Sequence, residues 1–365
     1  MKTAALFVLV VFTCTYAAVT QAEEAAVNFE TVEEQLYEEG VDIGLEEIFL
    51  SVLSGEAELS PETIVRLVFE KIAERTKAVS RFLRKASFYM CMAACLNRLL
   101  PDGKNARGAM MIIHICVMLS VYTDVQAFFQ SSRSAIESVS KVIDSLTPML
   151  VSLIAFTGDA HTSSFITPFG AFLSGTIASW FSKGALSLLS VLSCLHLITQ
   201  IGDMPLGRMT DMIKSVFKWM VASATGLFFL LMSASGTIAG TYDGALNKGL
   251  KYAADSLIPI IGGDIAGKMD SITSSAQLLK SAAGVTGMAA LIGACLIPAI
   301  DVFLAMWGLK ALSALLECVS DKEAMQLADG FAGIFSCLLS LIAAFLCMGI
   351  VYIGVAVGLG KRILF

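Results

Sequence analysis

The chain has 365 residues, of which 56% are hydrophobic and 15% are charged, and its mean hydropathy is +0.76. A soluble domain carries about 25% charged residues, so one aqueous core cannot enclose this much apolar surface, and the composition favours a membrane protein. The formal net charge of −6 and the scattered lysines and arginines exclude a nucleic-acid partner.

The first 22 residues have the features of a secretory signal peptide. Lys2 supplies a positive charge, a long apolar run follows it, and small residues at Thr20 and Ala22 suit cleavage after position 22. The alternative is an uncleaved first membrane anchor. Cleavage would place Glu23 and the segment that follows it outside the cytoplasm.

Residues 23–85 are predicted to form an acidic and then amphipathic region outside the membrane core. Thirteen acidic residues and no lysine or arginine lie between positions 23 and 62. Ser60 and Pro61 then mark the start of a helix. Its apolar stripe consists of Ile64, Val68, Ile72, Val79 and Leu83. Charged side chains, Arg75 among them, cover the opposite side, so we expect this helix to lie at a membrane surface or against a partner.

Apolar runs follow, and several reach the roughly 20 residues that a helix needs to cross a bilayer. They are residues 86–100, 109–129, 146–157, 164–182, 184–201, 220–240, 284–316 and 331–357. The predicted fold class is therefore all-α, a polytopic helical membrane protein. Seven crossings result if 146–157 does not cross, and nine result if it crosses and 284–316 splits in two. Basic residues favour the cytoplasm for the segment from Arg98 to Arg107 and for Lys361 and Arg362.

Two pairs of matching segments indicate an internal duplication. DSLTP at residues 144–148 matches DSLIP at 255–259, and residues 197–217 align without gaps to residues 315–335. Duplicated halves are a recurrent construction in membrane transporters. The predicted divisions of the membrane region are a first hairpin at 86–130, a first half at 131–240 and a second half at 241–365.

The prolines and glycines of these phrases are candidate pathway and helix-break residues. Proline lacks a backbone N–H and disfavours helix at the residue before it, so Pro148 and Pro259 are each predicted to interrupt a helix at the equivalent point of the two halves. Gly262 and Gly263 would let an opened backbone lie close to neighbouring helices. Such breaks inside a bilayer tend to line cavities, because the freed backbone groups need protein or water as partners.

Pro298 and Asp301 are further candidates, because both lie near the middle of the apolar run at 284–316. A charge at mid-bilayer costs about 2.5–3.5 kcal/mol on insertion scales and usually faces water or a partner. The alternative is that Pro298 ends a helix and leaves Asp301 at an interface as a cap.

Residues 262–268 resemble a phosphate-binding loop without completing one. The spacing Gly262-x-x-x-x-Gly267-Lys268 is present, but Met269 stands where the loop needs serine or threonine, and no strand–loop–helix pattern surrounds it. The nine cysteines and three histidines show no metal-binding spacing. We therefore predict no cofactor, no metal and no catalytic residue, and a protein that is not an enzyme.

Two phrases carry a resemblance to a known family. The run at 256–300 pairs an IPxxG segment with an LLKxAxGxxG phrase at 278–287, and residues 145–158 fit the pattern SLxPxLxxLxxxTG. In both respects the chain resembles the stage III sporulation protein AE family. The likeness covers roughly residues 125–357, and the long acidic leader is the main departure from the family pattern.

The resemblance implies an endospore-forming bacterium and a location in the mother-cell membrane that surrounds the forespore. The implied partners are other stage III sporulation proteins: a secretion-type ATPase, ring-forming proteins and small membrane subunits. Family members are described as permease-like, which implies a channel or permease-like subunit that lacks its own ATPase and is required for late forespore development. The alternative is a membrane scaffold that positions the rings and the ATPase and transports nothing.

Overall fold

The computed structural model describes residues 75–77, 79–90, 104–156, 160–201, 207–257, 262–319 and 322–358. Every described residue is helical, which confirms the predicted all-α class. The predicted signal peptide and acidic leader lie outside the described residues.

Seven α-helices build the described part of the chain. The first, α1, covers residues 79–90 and follows a helical turn at 75–77. The others are α2 (Lys104–Phe156), α3 (Ala160–Ala171), α4 (Leu186–Ile201), α5 (Gly207–Leu257), α6 (Gly262–Val319) and α7 (Lys322–Gly358). Two π-helical segments, Phe172–Ile177 and Trp180–Ala185, join α3 to α4 in one continuous helical rod.

Five stretches of these described helices are long and apolar enough to cross a membrane. They are Leu119–Ala155, Ile166–Thr199, Gly207–Ser233, Leu278–Glu317 and Ala324–Val357. Some helices are far longer than a bilayer requires: α2 has 53 residues. At 1.5 Å per residue α2 is about 80 Å long, against a hydrocarbon core of about 30 Å, so it extends beyond the core at one or both ends.

The predicted count of seven or nine crossings is wrong in one respect. It treated 164–182 and 184–201 as separate spans, but the structure places both in the single rod formed by α3, the π-helical segments and α4. The rod is continuous because the π-helical segments absorb the irregularity at Gly175 and Gly184 without ending the helix. The run at 146–157 is likewise the last part of α2 rather than a span of its own.

Contacts between the helices fix their directions. His196, near the end of α4, lies 3.3 Å from the carbonyl oxygen of Leu327, near the start of α7. The end of α4 and the start of α7 therefore lie at one end of the bundle. Tyr122, in the first half of α2, accepts a hydrogen bond from Cys194 of α4, so α2 begins at that same end.

The chain consequently alternates in direction from α2 through the rod, α5 and α6 to α7. This order places Lys104 and Gly358 at opposite ends of the bundle. The predicted cytoplasmic location of the Arg98–Arg107 segment and of the tail at Lys361 and Arg362 stays a prediction, because residues 98–103 and the tail lie outside the described residues.

Helix α1 is part of the buried core. Val79, Phe82, Ala86 and Met90 are buried. The ring of Phe82 meets those of Phe128 in α2 and Phe335 in α7 at centroid distances of 5.2 and 6.0 Å. The apolar side of residues 79–90 therefore packs against other helices of the same chain, and the expected location of the helix at a membrane surface or against a partner stays a prediction.

Candidate functional site: the charged face of α2

Pro148 does not interrupt a helix. It lies inside α2, which continues to Phe156. The predicted break is wrong: proline is tolerated inside membrane helices that other helices surround, and Met149 and Leu150 beside Pro148 are buried. Next to Pro148, the Thr147 hydroxyl donates a hydrogen bond of 2.6 Å to the carbonyl oxygen of Ile143. The Ser145 hydroxyl does the same for Lys141 at 2.9 Å.

Pro298 does not divide its helix either, because it lies inside α6, which is continuous from Gly262 to Val319. Asp301 is therefore no helix cap. Its carboxylate Oδ2 pairs with the Arg75 guanidinium at 2.9 Å, and the Asp301 side chain is only 14% exposed. The interpretation that this charge faces a partner holds, and the partner belongs to the same chain.

The second DSLxP phrase is only partly described. Helix α5 ends at Leu257 and α6 begins at Gly262, followed by Gly263, while Pro259 lies outside the described residues. The predicted interruption is wrong for Pro148, because α2 continues eight residues past it. The equivalence of the two phrases stays a prediction, because residues 258–261 lie outside the described residues. The structure does not join the predicted residues into one site.

The second part of α2 exposes a single narrow side, and that side is charged. Between residues 131 and 154 the exposed positions are Glu137, Lys141, Asp144 and Pro148. Their spacing of four, three and four places them on one side of the helix, which we call the charged face. The charged face lies within the candidate span Leu119–Ala155.

The charged face borders the two π-helical segments, and α2 side chains satisfy their backbone. Ser140 donates a hydrogen bond of 2.7 Å to the carbonyl oxygen of Ser174, and Arg133 donates one of 3.0 Å to that of Ser182. The Ser174 hydroxyl in turn donates to Asp144 Oδ1 at 2.5 Å. Irregular backbone at membrane depth persists only with such partners, and π-helical turns are frequent at functional sites.

A buried polar junction lies on the other side of the same part of α2. Thr147 Oγ1 and the Tyr352 hydroxyl are 2.8 Å apart, and Tyr352 also reaches the carbonyl oxygen of Ile166 in α3 at 3.5 Å. Gly170 makes this approach possible, because a Cβ there would lie 2.5 Å from the Tyr352 hydroxyl. The junction ties α2, α3 and α7 together beside the charged face.

Tyr352→Phe is expected to loosen this junction. The substitution removes one hydroxyl and leaves the buried Thr147 hydroxyl without that partner, so it should cost about 1–3 kcal/mol of folding stability. Thermal unfolding of the purified chain in detergent measures the loss. Thr147→Val in the Tyr352→Phe background is the control, and it should cause little further loss because the pair is already broken. A full additional loss would contradict the pairing.

Sequence reasoning missed the charged face of this helix. Asp144 was noted only as part of the repeated phrase, and Glu137 and Lys141 were not singled out. The available signal was the spacing of charges opposite the apolar stripe Ile136, Val139, Ile143 and Leu146.

Comparison with known proteins shows the family of the chain. A sequence model of the family "Stage III sporulation protein AE" matches residues 43–360. The chain belongs to the stage III sporulation protein AE family. The family member from Bacillus subtilis (strain 168) is 20% identical over 272 residues, which cover 73% of this chain and 68% of that protein. No solved structure matches the chain.

The two phrases typical of the stage III sporulation protein AE family pack against each other. Gly287, in the LLKxAxGxxG phrase on α6, lies against Leu146 of the SLxPxL phrase on α2 and against Ile353 of α7. Gly284, one turn earlier, lies against Val357. Close helix approach at small residues is typical of packing in lipid. The glycines of the phrase therefore act as contact positions between three helices.

Gly287→Val is expected to destabilise the bundle. A Cβ at position 287 would lie 2.5 Å from Leu146 Cδ1, so the buried Leu146 side chain or the two helices must shift, at a cost of about 1–3 kcal/mol. Thermal unfolding in detergent measures the effect. Gly226→Val is the matched control, since a Cβ there meets nothing within 4 Å. Equal losses in both variants would contradict the assigned role of Gly287.

Proposed function

We propose that the chain is a channel or permease-like subunit of the sporulation complex that links mother cell and forespore, and that the charged face of α2 lines its pathway. The observation that carries this proposal is the exposure of Glu137, Lys141 and Asp144 on one side of a helix whose remaining sides are buried or half-buried. The membrane concerned is the mother-cell membrane around the forespore, as the family resemblance implies.

The free-energy cost of placing charged side chains in lipid disfavours contact between the charged face and the bilayer. Each charge costs about 2.5–3.5 kcal/mol at mid-bilayer, so three together would cost about 7.5–10.5 kcal/mol, comparable with the whole stability of a typical domain. Water in a pathway removes most of this cost. The alternation of acid, base and acid along the charged face also allows favourable pairs at spacings of four and three residues.

A second copy of the chain in the same orientation is a poor cover for the charged face. Two copies related by a two-fold axis along the membrane normal would bring each residue of the charged face near its own equivalent. Lys141 would then face Lys141, and Glu137 would face Glu137, which is repulsive. Water, or a different subunit, is therefore a better cover for the charged face than a second copy of α2.

The proposal assigns energy coupling to a separate ATPase. Met269 occupies the position at which a phosphate-binding loop needs a hydroxyl for magnesium, so the spacing at 262–268 does not support nucleotide binding. No catalytic family matches accompany the sporulation family match, and we propose no enzymatic reaction for the chain.

Chemical blocking in sporulating cells tests the proposed pathway. The nine native cysteines are first replaced, and single cysteines are then introduced at Glu137, Lys141 or Asp144. A bulky, charged, water-soluble thiol reagent that is given access to the intermembrane space and cytoplasm should modify these positions and stop a late forespore reporter. Leu230→Cys is the control, because Leu230 is 65% exposed on the apolar outer side of α5 and should face lipid.

The same experiment distinguishes the proposal that the chain lines a transport pathway from the alternative that it is a scaffold. A scaffold predicts that the cysteines on α2 can be modified, or remain unmodified, without any loss of reporter expression. Modification with loss at α2 and none at Leu230 supports the pathway. Efficient modification without loss would overturn the transport proposal and favour the scaffold.

A further inference from the structure

The exposed face of α6 carries aromatic and basic side chains near the end of the bundle where α6 ends and α7 begins. Phe303, Trp307 and Lys310 follow one another on this face towards that end. The Phe303 and Trp307 ring centroids are 6.3 Å apart, and Lys310 Nζ lies 5.8 Å from the centre of the Trp307 ring. The exposed surface of α6 therefore changes from apolar to aromatic to charged as the helix approaches its end.

Helix α5 has the same order of exposed side chains, although it runs in the opposite direction. Lys218 is exposed, Trp219 beside it is 73% exposed, and the exposed apolar residues Leu227 and Leu230 follow. The apolar run 220–240 of the sequence begins directly after Trp219. On α5 as on α6, a lysine and a tryptophan therefore separate the charged end of the helix from its apolar part.

The two tryptophans lie at one level of the bundle. Trp219 is twelve residues after the start of α5, and Trp307 is twelve residues before the end of α6. Each distance is about 18 Å at 1.5 Å per residue. Leu83 of α1 packs against Gly308, so the exposed Arg84 lies at the level of Trp307 as well. We give the name basic belt to Arg84, Lys218, Trp219, Trp307 and Lys310.

We propose that the basic belt lies at the headgroup level of the bilayer and binds the phosphates of anionic phospholipids. Tryptophan is enriched where an apolar layer meets a polar one, and each lysine or arginine near an anionic membrane surface strengthens the attraction by about fivefold. Asp124 also lies beside α1, but Lys85 pairs with it at 3.6 Å. The basic belt therefore keeps its positive charge.

The surface around the basic belt fits a lipid better than an acidic protein. Exposed apolar side chains continue directly from it, with Phe303 on α6 and Leu227 on α5. One phospholipid can cover both parts, because its acyl chains contact the apolar residues while its phosphate contacts the lysines. The end of the bundle beyond the basic belt then projects from the bilayer by roughly 15–20 Å. This placement is independent of the charged face of α2, so either proposal can fail alone.

Quenching of tryptophan fluorescence by brominated lipids tests the level of the basic belt. Each variant of the full chain keeps one of the three tryptophans and has phenylalanine at the other two, and is reconstituted into vesicles. Bromine near the headgroup should quench Trp219 and Trp307 more than bromine near the end of the acyl chain. Trp180 is the control: it is 54% exposed and about 30 Å from the end of its rod at Ile201, so deeper bromine should quench it more. Stronger quenching of Trp219 and Trp307 by the deeper bromine would overturn the proposal.

Brominated phosphatidylglycerol and brominated phosphatidylcholine, compared in the same vesicles, measure the preference for an anionic headgroup. Phosphatidylglycerol should bind beside Trp307 about fivefold more tightly, and Lys310→Gln should remove most of this preference. Lys218→Gln should have the same effect beside Trp219. Arg208→Gln is the matched control and should leave the preference unchanged, because Arg208 is an exposed cation of α5 about 15 Å nearer the end of the bundle than Lys218.

The outcomes of this comparison decide whether an anionic lipid covers the basic belt. A preference for phosphatidylglycerol that the two lysine variants remove and Arg208→Gln retains supports the proposal. Equal quenching by both lipids would overturn it, and so would an equal loss of preference in Arg208→Gln. If neither lipid quenches Trp219 or Trp307, protein covers the basic belt, either a partner or the acidic segment 23–62 of the same chain, and the proposal is wrong.

Discussion

Joint replacement of Glu137, Lys141 and Asp144 by leucine is expected to abolish late forespore gene expression, lowering the yield of heat-resistant spores by about 100-fold or more. The chain should still accumulate in the membrane, because each leucine removes an insertion cost of about 2.5–3.5 kcal/mol. Loss of activity without loss of protein would then report the function of the charged face. Heat-resistant spore counts and immunoblots of membrane fractions measure the two quantities.

The control for the leucine variant changes an equally exposed but apolar surface. Leu227 and Leu230 are exposed on α5, and their joint replacement by alanine should leave spore yield unchanged. A leucine variant that accumulates normally and sporulates normally would show that the charged face has no role in the activity of the complex.

Asp301→Asn is expected to have the largest effect on stability of any single charge removal in the described helices. It leaves the Arg75 guanidinium, whose Nε is already buried without a hydrogen-bond partner, facing no carboxylate. Breaking a buried pair costs about 3–5 kcal/mol, and the low end applies here because the Arg75 side chain is 33% exposed. The thermal midpoint in detergent should fall, and the helical turn at 75–77 should become sensitive to protease.

Another ion pair, which joins α1 to α2, provides the matched control. Lys85 and Asp124 are 3.6 Å apart with side chains 59% and 28% exposed, so Asp124→Asn should cost no more than about 1 kcal/mol. The double exchange Arg75→Asp with Asp301→Arg should recover part of the stability lost in Asp301→Asn. Equal losses at Asp301 and Asp124 would contradict a special role for the Arg75–Asp301 pair.

The apolar periodicity of the sequence was sufficient to predict the helical class and the membrane location. The run 331–357 is longer than a bilayer crossing requires, and it lies within α7. The expectation that proline ends a helix failed where contacts with other helices determine the local structure. Pro148 was expected to interrupt a helix, and Pro298 to end one in the alternative interpretation, but α2 and α6, packed among other helices, continue through both.

The candidate site could be predicted only in part, for a related reason. The pairing of Arg75 with Asp301 joins residues 226 positions apart, and no local pattern links them. The π-helical segments depend on Ser140 and Arg133 of another helix, so their own sequence gives little sign of them. The charged face itself was visible as a spacing of charges at 137, 141 and 144, once the buried sides of α2 are known.

Electron paramagnetic resonance of spin labels in a bilayer tests most directly whether the charged face of α2 contacts water. A label replacing Lys141, in the chain reconstituted into nanodiscs, should collide more often with a water-soluble nickel chelate than with oxygen, which concentrates in lipid. A label replacing Leu230 on α5 should show the reverse. Preferential collision of the Lys141 label with oxygen, at the level found for Leu230, would place the charged face in lipid and contradict the proposed pathway.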